Sequence, residues 1–192
     1  MSRQKTFLLP IVFFIAGLCS GTAQSPAQEP SPDSALLAKA NAGDAVSQVQ
    51  AGQASEANRD YKQASAWYRR AAEEGSISGA IHLAELYRDG GKGFPRDMTQ
   101  AAAWYRKAAD QGDPAAQGAL AMLYTLGQGV PRSDIEAYYW LDLAAAVKSA
   151  NQAQYAANRQ NVGTRVTVEE LVEIQDRVAQ WKAAHPRAEP AN

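Results

Sequence analysis

The stretch QAAAWYRKAADQG, at residues 100–112, determines the fold of this chain because close copies of it lie on either side. QASAWYRRAAEEG occupies residues 63–75 and EAYYWLDLAAAVK occupies residues 136–148. The tryptophan of the motif recurs at intervals of 37 and 36 residues, at Trp67, Trp104 and Trp140. Self-similarity at such a period is typical of stacked supersecondary units and not of a single globular core.

The residues upstream of two of these copies also match, which predicts a unit of helix, glycine loop and helix. IHLAELYRDGGKGFPRD at 81–97 parallels GALAMLYTLGQGVPRSD at 118–134. In the second helix of the central unit the apolar residues follow helical spacing along one face, at Ala101, Trp104, Tyr105, Ala108 and Ala109. Neighbouring units must bury that face, so the three tryptophans are predicted to be core wedges, with a ligand-stacking platform as the alternative.

The two ends of the repeat array depart from the pattern. The first unit lacks the glycine loop, so a tighter helix connection is expected there. Beyond the third tryptophan, NQAQYAANRQN and TVEELVEIQDRVAQW predict two capping helices, and capping boxes are expected at Ser133 with Glu136 and at Thr167 with Glu170. The expected organisation is three repeats within 34–150 (about 43–75, 76–112 and 113–150), capping helices at 151–184 and a disordered tail at 185–192.

The N-terminus has the pattern of a secretory signal peptide at residues 1–23. MSRQK supplies positive charge, an apolar segment follows, and small residues allow cleavage after Ala23. Lipidation of Cys19 is the alternative, but Leu18 is bulky where the lipoprotein peptidase requires a small residue. The proline-rich residues 24–33 read as a disordered tether. These features predict a periplasmic or secreted protein with no stable membrane span after cleavage.

LAELYRDGGKGFPRDMTQAAAWYRKAADQG and LAMLYTLGQGVPRSDIEAYYWLDLAA resemble Sel-one-like repeats, the SLR branch of the tetratricopeptide-like solenoids. The resemblance covers roughly residues 43–150, and the C-terminal helices resemble the closing helices of exported bacterial members. It implies an all-α, right-handed α-solenoid of tetratricopeptide/Sel-one-like helix-turn-helix repeats with C-terminal capping helices. It also implies binding of other proteins, as an adaptor or scaffold, and no shared chemistry. The disulfide-rich branch of the family does not apply, because Cys19 is the single cysteine.

Charge and composition argue against several classes of ligand. The chain carries 19 Lys plus Arg against 20 Asp plus Glu, which disfavours nucleic acid and anionic lipid as main partners. It has 2 histidines, so neither a two-histidine metal motif nor a Ser-His-acid set is predicted, and His82 reads as a surface side chain. The GGKGF loop reads as a turn, because no strand precedes it and neither Ser nor Thr follows Lys92. No cofactor and no metal are expected.

The candidate binding residues come from the first helices of the second and third units. Solenoids usually present these helices along their inner curve. The predicted concave-face residues are His82, Glu85, Asp89, Ala119, Met122 and Leu126. Met122 and Leu126 are open to two interpretations: a docking patch for a peptide or helix, or packing against the capping helices.

The sequence therefore predicts an exported, non-catalytic and monomeric module that binds a protein or peptide partner of unknown identity. The alternative is a hydrolase acting on the cell wall or on β-lactams, as suggested for some exported relatives. Against it, no lysine follows three residues after Ser31, Ser47 or Ser76, so the Ser-x-x-Lys motif is missing there. End-to-end self-assembly is a third hypothesis, which the polar tail and the capping helices oppose.

Overall fold

Helices account for nearly all of the regular structure in the computed structural model, which describes residues 32–186. The expected signal peptide at 1–23, residues 24–31 of the tether and residues 187–192 of the tail lie outside the described residues. The described part contains α1 (Pro32–Asn41), α2 (Ala45–Ala57), α3 (Tyr61–Glu73), α4 (Ile77–Asp89), α5 (Met98–Asp110), α6 (Pro114–Leu126), α7 (Asp134–Ala145), α8 (Gln152–Gly163) and α9 (Val168–Ala184).

Each helix from α1 to α7 packs mainly against the helices next to it in the chain. The pairs α2 with α3, α4 with α5 and α6 with α7 form the hairpins of three successive units, and α3 and α5 each pack against the first helix of the following unit. The helices α8 and α9 both pack against α7. The predicted all-α solenoid is confirmed.

Polar caps explain where the helices begin. A side-chain oxygen accepts a hydrogen bond from a backbone N–H of the first turn in seven helices, at Asp44, Asp60, Ser76, Asp97, Asp113, Ser133 and Thr167. The predicted capping box of α9 is confirmed, because the Glu170 carboxylate also accepts from the Thr167 backbone N–H at 2.8 Å.

The second predicted capping box is wrong in one half. The Ser133 hydroxyl accepts from the Glu136 N–H, as expected. The Glu136 carboxylate, however, accepts a hydrogen bond from Arg177 Nη2 of α9 at 2.8 Å. The charged guanidinium of a capping helix is a stronger partner for a carboxylate than a backbone N–H, so this glutamate links α7 to α9.

The core consists of alanines that allow close helix approach, with large aromatic side chains between them. Trp104 is 5% exposed and Trp140 is 2% exposed, which confirms their predicted role as wedges. Trp67 does not follow them. It is partly exposed and lies outside the buried core, so the prediction of a core wedge is wrong at this position.

Arginines of the second helices join one unit to the next. The Arg69 guanidinium of α3 lies 5.8 Å from the ring centroid of Trp104 and donates a hydrogen bond of 2.6 Å to the Tyr87 hydroxyl. One unit later, Arg106 of α5 lies 5.6 Å from the centroid of the Trp140 ring and also donates a hydrogen bond to the hydroxyl of Tyr124 on α6. Each arginine therefore contacts both helices of the unit that follows.

The junction between the third unit and the capping helices uses an acidic residue in place of the arginine. Asp142 stands two residues after Trp140, where the preceding units have Arg69 and Arg106. Its carboxylate is 9% exposed and accepts a hydrogen bond from Arg159 of α8. An ion pair thus attaches the first capping helix at the place where the other units use an arginine and a tyrosine.

The helix α1 takes the place of a second helix in front of the first unit. Gln48 Nε2 donates to the Ala40 carbonyl at the end of α1, at 3.3 Å, and Gln117 Nε2 donates to the Ala109 carbonyl at the end of α5, at 3.2 Å. These matching hydrogen bonds show the equivalence of α1 and α5.

The expected tether at 24–33 is too long by at least two residues, since α1 begins at Pro32.

The equivalence of α1 and α5 explains the exposure of the first tryptophan. Leu37 lies eleven residues before Gln48, as Arg106 lies eleven residues before Gln117. The helix α1 therefore carries a leucine, 43% exposed, at the position of the bridging arginine. Trp67 receives no arginine from a preceding helix and stays partly open to solvent.

The C-terminal end also differs from its prediction. The disordered tail was expected from residue 185, but the His185 ring stacks on the Trp181 ring at a centroid distance of 4.1 Å and an interplanar angle of 14°. His185 Nδ1 also lies 2.9 Å from the Trp181 carbonyl oxygen. The end of α9 is therefore closed by an aromatic stack.

The connection inside the first unit is tight, as predicted. Residues 58–60 join α2 to α3, whereas residues 90–97 and 127–133 join the helices of the later units. The short turn places Arg59 at a φ of 61°, in the left-handed region that an L side chain adopts at a cost.

We expect Arg59→Gly to raise the free energy of unfolding by about 0.5 to 1 kcal/mol, since glycine adopts this conformation without strain. Urea denaturation followed by circular dichroism measures the change. Arg59→Ala is the control, because alanine retains the Cβ atom and should bring no gain. Equal stabilisation by both substitutions would contradict the strain explanation.

Candidate functional site

The first helices α2, α4 and α6 of the three units, with the capping helix α8 after them, form the surface on which the candidate residues lie, here called the first-helix face. The helix α4 contributes three of them and α6 contributes the other three, namely His82, Glu85, Asp89, Ala119, Met122 and Leu126. The α4 residues are polar and make hydrogen bonds or ion pairs, while Met122 and Leu126 of α6 are apolar and exposed. The face therefore has a polar part and an apolar part.

His82 of α4 is only partly exposed and contacts side chains of α2 and α3, so it is more than the plain surface side chain that the sequence predicted. Its ring stacks on the buried Tyr68 of α3, with centroids 5.1 Å apart and an interplanar angle of 19°. Its Nε2 lies 3.2 Å from Gln53 Nε2 of α2, and its Nδ1 lies 3.5 Å from a Glu85 carboxylate oxygen. The side chain of His82 is 31% exposed, so it remains reachable from solvent.

These contacts determine which nitrogen of the neutral His82 ring carries the hydrogen, and they change the pKa values of His82 and Tyr68. An amide nitrogen only donates, so the neutral His82 ring accepts from Gln53 at Nε2 and carries its hydrogen on Nδ1, towards Glu85. The hydrogen bond to Glu85 raises the pKa of His82, although burial acts in the opposite direction. Burial and the hydrogen bond from its hydroxyl to Glu56, at 2.8 Å, raise the pKa of Tyr68.

We expect the stability of the protein to depend on pH through His82. Its folded-state pKa lies above the unfolded value of about 6.5, so the protonated imidazole stabilises the fold at low pH. That contribution is lost as the pH rises through the folded-state pKa. Urea denaturation at about pH 5.5 and about pH 8.5 should show that the advantage of wild type over His82→Gln becomes smaller at the higher pH.

Glu85→Gln provides the matched control for this dependence, because it removes the charge that favours the imidazolium and keeps the shape of the side chain. The pH dependence should become smaller in this variant. An advantage of wild type over His82→Gln that is the same at both pH values would contradict the role given to the Glu85 hydrogen bond.

Asp89 belongs to a local ion pair. Its two carboxylate oxygens accept hydrogen bonds from Arg88 Nε at 2.8 Å and from Arg88 Nη2 at 2.9 Å. The bidentate contact lowers the pKa of Asp89. Arg88 also donates to the Tyr105 hydroxyl at 2.9 Å, which connects the end of α4 to α5. Glu85 is thus the less neutralised of the two predicted carboxylates.

The apolar part is a groove of about 390 Å³ between α6 and α8, here called the α6–α8 groove. Met122 is 58% exposed and Leu126 is 57% exposed, and both border this groove. Buried side chains of the following elements lie beneath, Leu141 from α7 and Val162 from α8, each 3% exposed. The two exposed residues therefore stand beside a capping helix without being covered by it.

Polar side chains complete the lining of the groove, and sequence reasoning missed those of α8. Asn158 and Asn161 lie one helical turn apart on α8, and Thr125 lies on α6. The Asn158 side-chain oxygen accepts from Gln154 Nε2 at 2.9 Å, and the Asn161 side-chain oxygen accepts from Arg165 Nη1 at 3.1 Å. The signal available in the sequence was the pair of asparagines three residues apart in a helix otherwise rich in alanine and glutamine.

The tryptophans do not form a ligand-stacking platform at the two positions where they are buried, because Trp104 and Trp140 are enclosed by the units around them. Within residues 32–186, three or more His, Cys, Asp or Glu side chains do not come together as a metal site would require. The described helices also include none that is long and apolar enough to cross a membrane.

Comparison with known proteins identifies the repeat. The model of the Sel1 repeat matches this chain three times, at residues 49–76, 77–113 and 114–147. Together these segments cover about half of the sequence and correspond to the hairpins of α2 to α7. No curated protein matches the chain.

Solved structures resemble the chain in fold and in sequence. A protective antigen present in uropathogenic Escherichia coli strains, which displays an SLR fold, is 28% identical with a TM-score of 0.68 over 83% of this chain. The matched region is 36% of that antigen, so this chain spans about a third of its length. A Sel1 repeat protein from Oxalobacter formigenes is also 28% identical, with a TM-score of 0.57 over 66% of this chain and 96% of that one.

Cysteine rich protein B of Helicobacter pylori shares the fold at 19% identity, with a TM-score of 0.50 over 62% of this chain and 88% of that chain. At this identity the likeness is one of fold alone.

Proposed function

The chain belongs to the Sel1 repeat family, whose members are generally protein–protein interaction modules, and from this premise we propose that it is an exported, non-catalytic adaptor or scaffold. It binds a protein or peptide partner on the concave side of its solenoid, through the first-helix face. Its partner is a protein and not a nucleic acid, since its charges nearly balance.

The observation that carries this proposal is the pair of exposed apolar side chains on α6. Met122 and Leu126 leave more than half of their surface in solvent beside a groove with a buried apolar floor. Such a surface gains stability when another molecule covers it. The polar part around Glu85 lies on the same series of first helices and supplies charge that can select the partner.

Affinity purification tests the proposal directly. The chain with a C-terminal affinity tag, expressed in its native cells, should recover a defined protein whose identity is given by mass spectrometry. Glu85→Lys with Asp89→Lys should reduce the recovery of that protein, because both substitutions reverse charge on the first-helix face. Val172→Glu on α9 is the control, since Val172 is 58% exposed and does not line the α6–α8 groove. Repeated recovery of the same background proteins from wild type and both variants would reject the proposal.

Export is proposed from the signal pattern of residues 1–23. Supporting it, a relative of 28% identity is described as a protective antigen. N-terminal sequencing of the protein recovered from the periplasm or medium should begin at Gln24. A mature protein that retains residues 1–23 in the cytoplasm would contradict export, and one that begins at a lipidated Cys19 would replace the signal peptide by a lipoprotein anchor.

The proposed absence of catalysis gives a simple expectation. The purified protein should hydrolyse a chromogenic cephalosporin no faster than buffer does. Sel1 repeat folds are typically non-catalytic interaction modules, which supports this expectation. Turnover above buffer that is retained through repeated purification would instead favour the hydrolase alternative.

A further inference from the structure

From the α6–α8 groove we infer the chemistry of the partner, an inference that rests on the proposed function. The groove takes an extended, uncharged peptide segment that places one bulky apolar side chain between α6 and α8. The amide groups of Asn158 and Asn161 donate hydrogen bonds to its main-chain carbonyls. Three separate properties of the groove favour such a peptide.

The first property is the absence of charge in the lining. The sequence of α6, PAAQGALAMLYTL, contains neither an acidic nor a basic residue. The one charged residue of α8 is Arg159, which is bound to Asp142. Arg165, which donates to Asn161, is itself paired with Asp134 at 2.7 Å. A charged side chain entering the groove would therefore lose water without meeting a free opposite charge, so the groove selects against it.

The second property is the orientation of the asparagine amides. Arg165 can only donate hydrogen bonds, so the Asn161 group that faces it must be the oxygen, at 3.1 Å. The Asn161 nitrogen is then left as a donor, and so is the Asn158 nitrogen, since the Asn158 oxygen accepts from Gln154 Nε2. Among the described residues, neither nitrogen has a hydrogen-bond acceptor. The Thr125 hydroxyl already donates to Ala121 at 2.9 Å.

The spacing of these donors favours an extended chain. Residues three apart on a helix have Cβ atoms about 5 to 6 Å apart. Carbonyls on one edge of an extended strand repeat about every 6.6 Å, a distance that two flexible amides can match. Most carbonyls of a bound helix already accept from its own N–H groups, so an extended segment offers the asparagines better acceptors than a helix does.

The third property is the size and depth of the apolar floor. About 390 Å³ is at the lower end of the volumes that hold a small molecule, which suits one large side chain and the backbone beside it. Met122 and Leu126 form the rim, and Leu141 and Val162 form the floor. A flexible methionine at the rim can adjust to aliphatic or aromatic side chains.

Selection from a random peptide library displayed on phage, with peptides of about twelve residues, tests the inference on the purified protein. The enriched peptides should share an uncharged stretch with Leu, Ile, Met or Phe at one position. A fluorescent synthetic copy should bind wild type with an affinity that salt hardly changes. Met122→Glu and Asn161→Leu should each weaken binding at least about tenfold. Val172→Glu, matched to Met122 in exposure, should leave it unchanged.

The outcomes separate this inference from the proposed function. Enrichment of basic peptides that are lost with Glu85→Lys and kept with Met122→Glu would overturn the inference while the proposed function stands. Peptides that bind Met122→Glu as well as wild type would also overturn it. Selection that enriches no peptide above an unrelated protein, together with failure of the affinity purification, would reject both.

Discussion

Trp104→Ala should lower the free energy of unfolding by about 3 to 5 kcal/mol, which is a large part of the stability of a domain of this size. The indole is 5% exposed and belongs to the buried core of the array. Two cations also lie near the ring, with the Arg69 guanidinium 5.8 Å and Lys107 Nζ 4.0 Å from its centroid. Truncation leaves a cavity and removes both cation–π contacts.

The position of Trp104 in the array also affects the cooperativity of unfolding. In a repeat protein, each unit is stabilised mainly by its interfaces with the adjacent units. Loss of the central wedge weakens the interface between the first and second units, so urea denaturation by circular dichroism should change from one transition to two. Circular dichroism is preferred because the substitution alters the tryptophan fluorescence itself.

Trp67→Ala is the matched control, since it removes the same side chain from the equivalent position of the first unit. Trp67 is partly exposed and has no arginine from α1 above it. Its truncation should therefore cost less than half of the loss at Trp104. Equal losses at the two positions would show that the local motif, and not the interface between units, determines the contribution of the tryptophan.

The contrast between these tryptophans shows what a repeat can predict. The period of the sequence defines the helices, their caps and the wedge role of Trp104 and Trp140, because each inner unit has the same neighbours. The first unit has a different neighbour, the short helix α1, in which Leu37 replaces the bridging arginine. Sequence similarity alone cannot reveal this difference, because the burial of Trp67 depends on a helix outside the repeat.

Prediction of the candidate site was limited in the same way. The sequence identifies Met122 and Leu126, because their predecessors in the second unit are polar. It does not identify Asn158 and Asn161, since α8 lies beyond the last repeat and has no equivalent for comparison. The environment of His82 was missed for another reason: its contacts with Tyr68 and Gln53 join residues of three helices that only the fold brings together.

Gly129→Ala should also have a large effect, with a loss of about 2 to 4 kcal/mol. Gly129 lies in the loop between α6 and α7 at a φ of 70°, which is strained for alanine and costs about 1 kcal/mol. A Cβ atom there would also lie 2.0 Å from the Met98 carbonyl oxygen at the start of α5. Backbone cannot move aside as a side chain can, so the loop or the first turn of α5 must shift, at a further cost of about 1 to 3 kcal/mol.

Gly93→Ala separates these two costs. Gly93 has the same place in the preceding loop, three residues before Arg96 as Gly129 is before Arg132, and a similar φ of 76°. A Cβ atom at Gly93 would meet nothing within 4 Å, so the expected loss is the conformational cost of about 1 kcal/mol alone. The difference between the two unfolding free energies in urea then measures how closely the second glycine loop approaches α5. If Gly93→Ala destabilises the protein as much as Gly129→Ala does, the loops serve only to reverse the chain, and the contact with Met98 contributes nothing to the stacking of units.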